Sequence, residues 1–588
     1  MTVLTNDPRD FADEALAGFA AAHADEIRTV HGGVVRASAT PPGQVAVVLG
    51  GGTGHYPAFA GWVGPGFAHG AACGAVFASP SASQICSVAR AADNGGGVIF
   101  GFGNYAGDVL HFGRAAEQLR AEGLDARTLA VTDDIASGPA GDTALRRGIG
   151  GDLTVLKILC AAAEAGLGID EAERVGRKAN AATRSLGVAF AGCTLPGAER
   201  PLFTVPAGLL SLGLGIHGEP GIDELPLPTA DGAADLLVDG LLAEREAADA
   251  AVGGSPDGPG RVALLLNGLG ATKYEELYVV HRRVAERLAA EGLTVVAPVV
   301  GEQITSLGMA GLSLTLTFLD AELEALWTAP AAAPAFRRGA VTPRPPRTDD
   351  LTATHREPPV VPGTADSRAL GVRLAEALRT VCATVVAHEA RLGDLDAVAG
   401  DGDHGIGMRR GAEAATAAAE QAVALGGGAR TVMARAGAAW SERGGGTSGA
   451  LWGAALTAFG SALGDDDSPT PDGIRLVLGV RAAVDAVSRL GGATPGDKTL
   501  IDAAVPFADQ LEATLPEFGF TAAWTRAART AHEAAEATSA LTARRGRART
   551  HGDRSLGTPD PGAVSLALIV SALAADSPNS VNCLKEKD

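Results

Sequence analysis

"TAPAAAPAFRRGAVTPRPPRTDDLTATHREPPVVPGTADS", residues 328–367, is rich in proline and polar residues and holds no apolar period. It reads as a linker, and the chain changes character across it. Before it, short β-branched runs ("QVAVVLG", "GGVIFGF", "RTLAVTD", "RVALLLNG", "LTVVAPVVG") alternate with stretches of helical character, the pattern of α/β layers. After it, strand signals fade. Leu374, Leu378, Val381 and Val385 recur at helical spacing, and the alanine-rich stretches around 411–424 and 528–543 favour helix. The expected organisation is multidomain: an α/β part over 1–327 with a subdomain split near 250, a Pro-rich linker over 328–364, and an all-α domain over 365–588.

Length and charge narrow the function classes. A chain of 588 residues exceeds what one core usually organises. Its formal charge of −20 gives no general attraction for nucleic acid or an anionic membrane, although a local basic cluster can still hold a phosphorylated ligand. The start "MTVLTNDPRDFADEAL" lacks a basic n-region and an apolar h-region, and "AVSLALIVSALAA" is too short to span a bilayer, so a cytoplasmic protein is expected. Six scattered cysteines show no C-x-x-C spacing, which argues against a disulfide framework or structural zinc.

In the all-α part, "VAGDGDHGIGMRRG" (398–411) places Asp401 and Asp403 among glycines, with Asp396 just upstream of them, after a helix expected to end near Arg391. Offsets of five and two do not share a helical face, so the chain must loop to bring the carboxylates together. Clustered carboxylates call for a hard cation. An EF-hand fails on register, because counting from Asp401 puts Ile406 where that loop needs glycine and Ala412 where it needs glutamate. Magnesium with room for phosphate oxygens fits better. The usual phosphate cradles are missing: there is no Gly-Lys dipeptide, and the glycines at 50–54 are not spaced G-x-G-x-x-G. "RGGGTSGALWG" (443–453) offers Gly445, Gly446, Thr447 and Ser448 at a helix start instead. "GGATPGDKTLIDA" (491–503) and "RARTHGDRSLGTPDPGA" (547–563) are two more glycine-rich candidates.

The series L-D-x-x-x-G-D-G-D, G-G-T-S-G-A, P-G-D-K-T-x-x-D and G-R-A followed by R-S-x-G-x-x-D-P-G-A resembles the nucleotide-binding DhaL-type domain of dihydroxyacetone kinases. The N-terminal part resembles the partner DhaK-type domain through "GGGTGHYPAFAG", "FASPSASQI", "NYAGDVLHFGRAAE", "TRSLGVAFAGCTLPG", "GLGIHGEPG" and "SLGMAGLSLTL". The resemblance implies an α/β ketose-binding domain followed by an all-α helical barrel, and an ATP-dependent kinase acting on the terminal hydroxyl of a short-chain ketose. It also implies two magnesium ions on Asp396, Asp401 and Asp403. His404, Thr447 and Ser448 would contact phosphates, Arg554 would screen their charge, and Asp560, Pro561 and Gly562 would close over the nucleotide. Lys498, beside Thr499, stands where arginine is frequent and lacks its bidentate fork. A homodimer with sites shared between subunits is the further expectation.

In the DhaK-type part, the resemblance assigns to His217 a covalent hemiaminal with the ketone carbon, which selects carbonyl compounds over glycerol. Asp108 would be the general base, and His55 would bond the oxygen on the carbonyl carbon. Gly51, Gly52, Thr53 and Gly54 follow an apolar strand and would shape the pocket at its carboxyl end, with Ser79 a further contact. Many dihydroxyacetone enzymes read G-H-E-P-x-H where this chain reads "GHYPAF". Tyr56 and Phe59 therefore replace ionisable partners at the expected rim, and the whole looks like the erythrulose-kinase subgroup. A phosphotransfer-linked form usually splits the domains onto separate chains. A ligand-binding regulator or a fatty-acid-binding partner would lack Asp108 or His217.

Overall fold

The computed structural model describes residues 4–253, 260–355, 357, 359–400, 402–466 and 473–575; Asp401 and Cys583 lie outside these. The chain divides into two compact units, Met1–Arg356 and Glu357–Asp588.

The first unit holds two six-stranded sheets. One contains β1 (Ile27–Val30), β2 (Gly33–Arg36), β3 (Ala46–Thr53), β4 (Gly70–Val76), β5 (Val98–Gly103) and β6 (Ala126–Val131), in the order β1-β2-β4-β3-β5-β6. Strands β4, β3, β5 and β6 run parallel, and six of the eight residues of β3 are buried, as its unbroken apolar run requires of a strand covered on both faces. The chain leaves β3 for β4 on one side, while β5 leads to β6 on the other. The carboxyl ends of β3 and β5 therefore flank a topological switch point, where open α/β sheets place ligands.

The second sheet contains β7 (Thr183–Ala191), β8 (Leu209–Leu212), β9 (Asp223–Pro226), β10 (Gly260–Gly268), β11 (Leu293–Gly301) and β12 (Ala310–Leu319), in the order β11-β10-β12-β7-β8-β9. The five strands expected from sequence are β3, β5, β6, β10 and β11. The sheets change over between β6 and β7 rather than near residue 250. Helix Gly151–Glu164, "GDLTVLKILCAAAE", is buried along all but its last residue and touches β3, β5 and β6 of one sheet and β7 and β12 of the other. A helix buried all round needs cover on every side, and the two sheets supply it together with helices Ile169–Ala181 and Ala321–Thr328.

The segment expected as a linker is folded onto this unit as far as Thr354. β13 (Ala331–Ala333) and β14 (Phe336–Arg338) form a hairpin whose Ala331, Ala333 and Phe336 are buried. The Phe336 ring meets Phe67 edge-on at 5.4 Å, and the Arg338 guanidinium lies 4.1 Å above the Trp327 ring. Farther along, Ala39 donates to Pro345 O, Arg344 pairs with Glu164, Arg347 donates to Ala91 O, and Thr354 Oγ1 meets Ser87 Oγ at 3.1 Å. Prolines and arginines hide the element: proline lacks the N–H of a regular ladder, and the arginines are anchored through carbonyls and carboxylates rather than through an apolar period.

The second unit is helical among its described residues: Ala365–Asp396, His404–Ala424, Ala429–Gly444, Gly446–Leu463, Gly473–Gly491, Ile501–Ala537 and Pro561–Ala575. Gly519, at φ +71°, breaks the sixth into two rods. The first helix runs five residues past Arg391, so Asp396 is its last residue rather than part of the loop. Apolar faces enclose a cavity of about 190 Å³ lined by Leu374, Trp440, Trp452 and Phe507 among others. Among the described residues no helix is long and apolar enough to cross a membrane. The five described cysteines are unpaired, and burial pushes the thiols of Cys73, Cys86 and Cys160 up to about 12.

Candidate active sites

At the switch point of the first unit, the glycine run Gly50–Gly54 lets backbone and rings approach closely. A Cβ on Gly51 would stand 2.3 Å from Phe59, and one on Gly52 would stand 2.7 Å from the amide of Ala78. The loop thereby presses against the 77–81 segment that carries Ser79, which is buried. Thr305 belts the loop from the second sheet, its hydroxyl donating to Gly54 O and Tyr56 O.

His55 ends this run with its ring fixed: Nδ1 lies 2.7 Å from Thr305 O, and Nε2 lies 3.0 Å from Nε2 of His217. His217 comes from the turn between β8 and β9, so the two sheets each supply one histidine. Both rings are nearly buried, at 4% and 8% exposure. Phe77 stacks on His55 at 4.9 Å and meets His217 edge-on at 5.2 Å, and it takes a left-handed φ of 54° to do so. Tyr105 meets His217 edge-on at 4.8 Å. Asp108, buried, lies in the first turn of helix Ala106–Ala121, which follows β5, so the segment carrying it borders the histidine pair.

Three residues that sequence reading passed over complete this centre. Glu219 accepts from the ring Nδ1 of His217 at 3.2 Å and from its backbone amide at 3.1 Å. Arg147 lies 3.5 Å from Glu219 and is held by Asp134 at 2.8 Å. Burial acts to raise the Glu219 carboxyl, but Arg147 and His217 outweigh it and hold the group well below the ordinary range. The one sequence signal was the acidic residue in "GIHGEPG".

The two residues expected at the rim stand differently in the structure. Tyr56 is 55% exposed and packs against Phe19 of helix Phe11–Ala22, on the wall of a 520 Å³ cleft that opens beside Gly51–Gly54. Phe59 also borders that cleft but is only 8% exposed, wedged beneath Gly51 and edge-on to Trp62 at 5.7 Å. It is a core residue supporting the loop.

In the second unit a cavity of about 240 Å³ gathers Asp396, His404, Thr447, Ser448, Lys498, Thr499, Asp560, Pro561 and Gly562, as the motifs predict. Gly445 and Gly446, both with positive φ, form the break that opens helix Gly446–Leu463 toward it. The start of a helix is a position that suits a phosphate group. Arg554 is exposed and stands outside the lining, where Arg545 appears instead. Lys498 is not available to phosphate, because its ammonium donates to the carbonyls of Leu541, Ser555 and Thr558.

Burial and then the neighbouring Asp396 push the Asp403 carboxyl up to about 7; burial pushes Asp560 to about 7 as well, with Asp502 and Asp396 adding to it. Burial lowers His404, whose Nε2 meets Ser565 Oγ at 3.2 Å. Among the described residues no three His, Cys, Asp or Glu side chains are gathered as a metal site, and Asp401 lies outside them. Asp396 nevertheless stands close enough to raise the Asp403 carboxyl, a charge arrangement that a divalent cation relieves.

The Dak1 domain model matches residues 17–335 and the DAK2 domain model matches residues 398–575. The chain is 56% identical to the L-erythrulose 1-kinase of Mycolicibacterium smegmatis over 97% of its own length and 99% of that protein's. It is 52% identical to the D-erythrulose kinase of the same organism over 98% of each. The dihydroxyacetone kinase of C. freundii in complex with AMP-PNP and Mg2+ matches with a TM-score of 0.51 and 28% identity, covering 98% of this chain and 100% of that one. The chain belongs to the dihydroxyacetone kinase family, and it is a kinase.

Proposed function

We propose that the protein transfers the γ-phosphoryl group of ATP to the terminal hydroxyl of a short-chain ketose, accepting both erythrulose and dihydroxyacetone, with the ketose held as a hemiaminal on His217. The observation that carries this reading is the 3.0 Å approach of Nε2 of His55 to Nε2 of His217 in a buried centre. Thr305 O can only accept a hydrogen bond, so Nδ1 of His55 bears hydrogen, and so does Nδ1 of His217 toward the Glu219 carboxylate. The Nε2 atoms are left to act on substrate. His217 attacks the carbonyl carbon, the C=O electron pair moves to oxygen, and the proton shared between the two Nε2 atoms passes from His55 to that oxygen, leaving the positive charge on the substituted His217 ring. A carbonyl is required, so glycerol is excluded.

Asp108 then takes the proton of the terminal hydroxyl as its oxygen attacks the γ-phosphorus and ADP leaves. Asp396 and Asp403, with Asp401, would hold magnesium, which when bound neutralises phosphate charge. The amides at the start of helix Gly446–Leu463 orient the nucleotide phosphates, and the Asp560–Gly562 segment walls them in. The relatives' names support erythrulose, but they include both enantiomers at similar identity. Values of kcat/KM for dihydroxyacetone, D-erythrulose, L-erythrulose and glycerol test the reading. One erythrulose enantiomer should equal or exceed dihydroxyacetone, and glycerol should be inert. A tetrulose value ~1000-fold below dihydroxyacetone exceeds what a changed pocket wall of this size accounts for, and would overturn the erythrulose assignment; efficient glycerol phosphorylation would overturn the hemiaminal.

A further inference from the structure

We infer that Glu219, anchored through Arg147 to Asp134, is a positioning residue that makes Nε2 of His217 the nucleophile and keeps one proton between His217 and His55 for the ketone oxygen; this rests on the ketose reading above. The geometry shows a built relay. Glu219 is 5% exposed, and its Oε1 and Oε2 engage the ring and the backbone amide of His217 respectively. Arg147 reaches Asp134 Oδ2 through Nε at 3.0 Å and Nη2 at 2.8 Å. A Cβ on Gly215 would stand 2.0 Å from Glu219 Oε2 and 2.4 Å from Arg147 Nη1, so the second glycine of "GLGIHGEPG" is there to admit the ion pair. Gly218, at φ +85°, turns the chain so that Glu219 can fold back on His217.

The proton count follows from the partners. Each outer nitrogen, Nδ1 of either ring, donates to an oxygen, so two neutral rings would face each other through lone pairs at 3.0 Å. One shared proton converts that repulsion into a hydrogen bond and gives the pair a single positive charge. The Glu219 carboxylate balances it, as Asp134 balances Arg147. Tyr105, whose ring also packs on His217, stays neutral because burial and the Glu219 charge push its phenol well above the ordinary value. Asp108 adds the charge that the phosphoryl-transfer step uses.

The step balances. His217 Nε2 forms a bond to the ketone carbon, the π pair goes to oxygen, and the proton of His55 Nε2 passes to that oxygen. The positive charge moves from His55 to the N-substituted His217 ring, whose Nδ1–H still faces Glu219. The same carboxylate thus supports the cationic centre before and after addition. This explains why a residue that never touches substrate is buried with a dedicated guanidinium.

The test uses the full-length protein with dihydroxyacetone labelled with 13C at the ketone carbon. In the wild type that carbon should move to the tetrahedral region of the NMR spectrum. In Glu219→Gln, which keeps the shape but not the charge, half-saturation should rise ~10- to 100-fold, the range for exchanging a charged for a neutral hydrogen-bond partner. KM should rise by more than kcat falls, and ATP binding should be unchanged. Arg147→Lys should retain most of the adduct and Arg147→Met should lose it, which reads the same relay if Glu219→Gln does not fold. A wild-type adduct matched in affinity by Glu219→Gln or by Arg147→Met would overturn the relay. Absence of any adduct in the wild type would instead overturn the covalent reading on which it rests.

Discussion

The ammonium of Lys498 donates to the carbonyl oxygen of Thr558 at 2.8 Å, and its remaining donors go to Leu541 O and Ser555 O. One side chain thus closes the segment that walls the 240 Å³ cavity of the second unit. Lys498→Met should raise the KM for ATP at least ~10-fold through loss of charge-assisted hydrogen bonds, with faster amide exchange over 541–558. Lys498→Arg should not restore activity, because a planar fork cannot converge on three carbonyls as a tetrahedral ammonium does. Full rescue by arginine would assign Lys498 to phosphate after all.

Arg545 lines the same cavity, is about half exposed, and is only loosely paired with Asp497 at 3.5 Å. Arg545→Ala should raise the KM for ATP by ~3- to 10-fold, an effect that shrinks with added salt, and leave the ketose KM alone. Arg554→Ala, outside the lining, should change little. Titration of each variant with ATP at two ionic strengths checks the pair.

Tyr56 and Phe59 should separate cleanly. Tyr56→Ala alters only the outer wall and should shift the ratio of tetrulose to dihydroxyacetone kcat/KM by up to ~200-fold with little change in melting temperature. Phe59→Ala should lower stability by ~3–5 kcal/mol and depress all substrates together. The reverse pattern in denaturation and kinetics would restore the reading of Phe59 as a rim residue.

Asp133 gives the first unit a pH dependence. It is fully buried, accepts from the amides of Ile149 and Gly151, and burial raises its pKa from 3.8 to about 6. A carboxyl whose folded pKa is raised contributes most below its unfolded pKa and loses that contribution as pH rises to the folded value. Between about pH 4 and pH 6 this group should therefore cost up to ~3 kcal/mol of stability, and no more above that window. Asp133→Asn should be less stable overall but flatter across the window, as urea denaturation at stepped pH would show.

Asp403→Asn should abolish turnover and weaken magnesium-dependent ATP binding by at least ~100-fold while leaving the helical unit folded. Isothermal titration with and without chelator measures the binding, and circular dichroism the fold. Unchanged ATP affinity in magnesium would remove Asp403 from the metal site.

Much of this was legible because glycine-rich loops next to apolar strands advertise close approach. His55, His217 and Asp108 each sit in such a loop or directly after it. What was not legible depends on distance along the chain. Arg147 and Glu219 are ordinary charged residues in sequence, and only the meeting of two sheets makes them neighbours. Phe59 borders the cleft yet lies almost wholly buried, because standing four residues from His55 says nothing about which side of the loop a ring takes. Lys498 was ambiguous for a related reason: a lysine in a phosphate-site motif looks the same whether it faces the phosphate or the loop around it. Asp396 and Asp403 were legible by their charge, and the structure makes them neighbours, Asp396 at a helix end and Asp403 before the next helix.

The hairpin and strap between Ala331 and Thr354 bear on how the protein can be divided. A fragment ending at Trp327, where composition suggests a boundary, would strip Phe336 from Phe67 and Arg338 from the Trp327 ring, and would leave Glu164 without Arg344. Freshly bared aromatic surface of that kind makes chains adhere to one another. A fragment ending at His355 keeps those contacts intact. The longer piece should be recovered soluble and melt in one transition, and the shorter should be lost to inclusion bodies, so a serviceable autonomous first unit is about 28 residues longer than its sequence advertises.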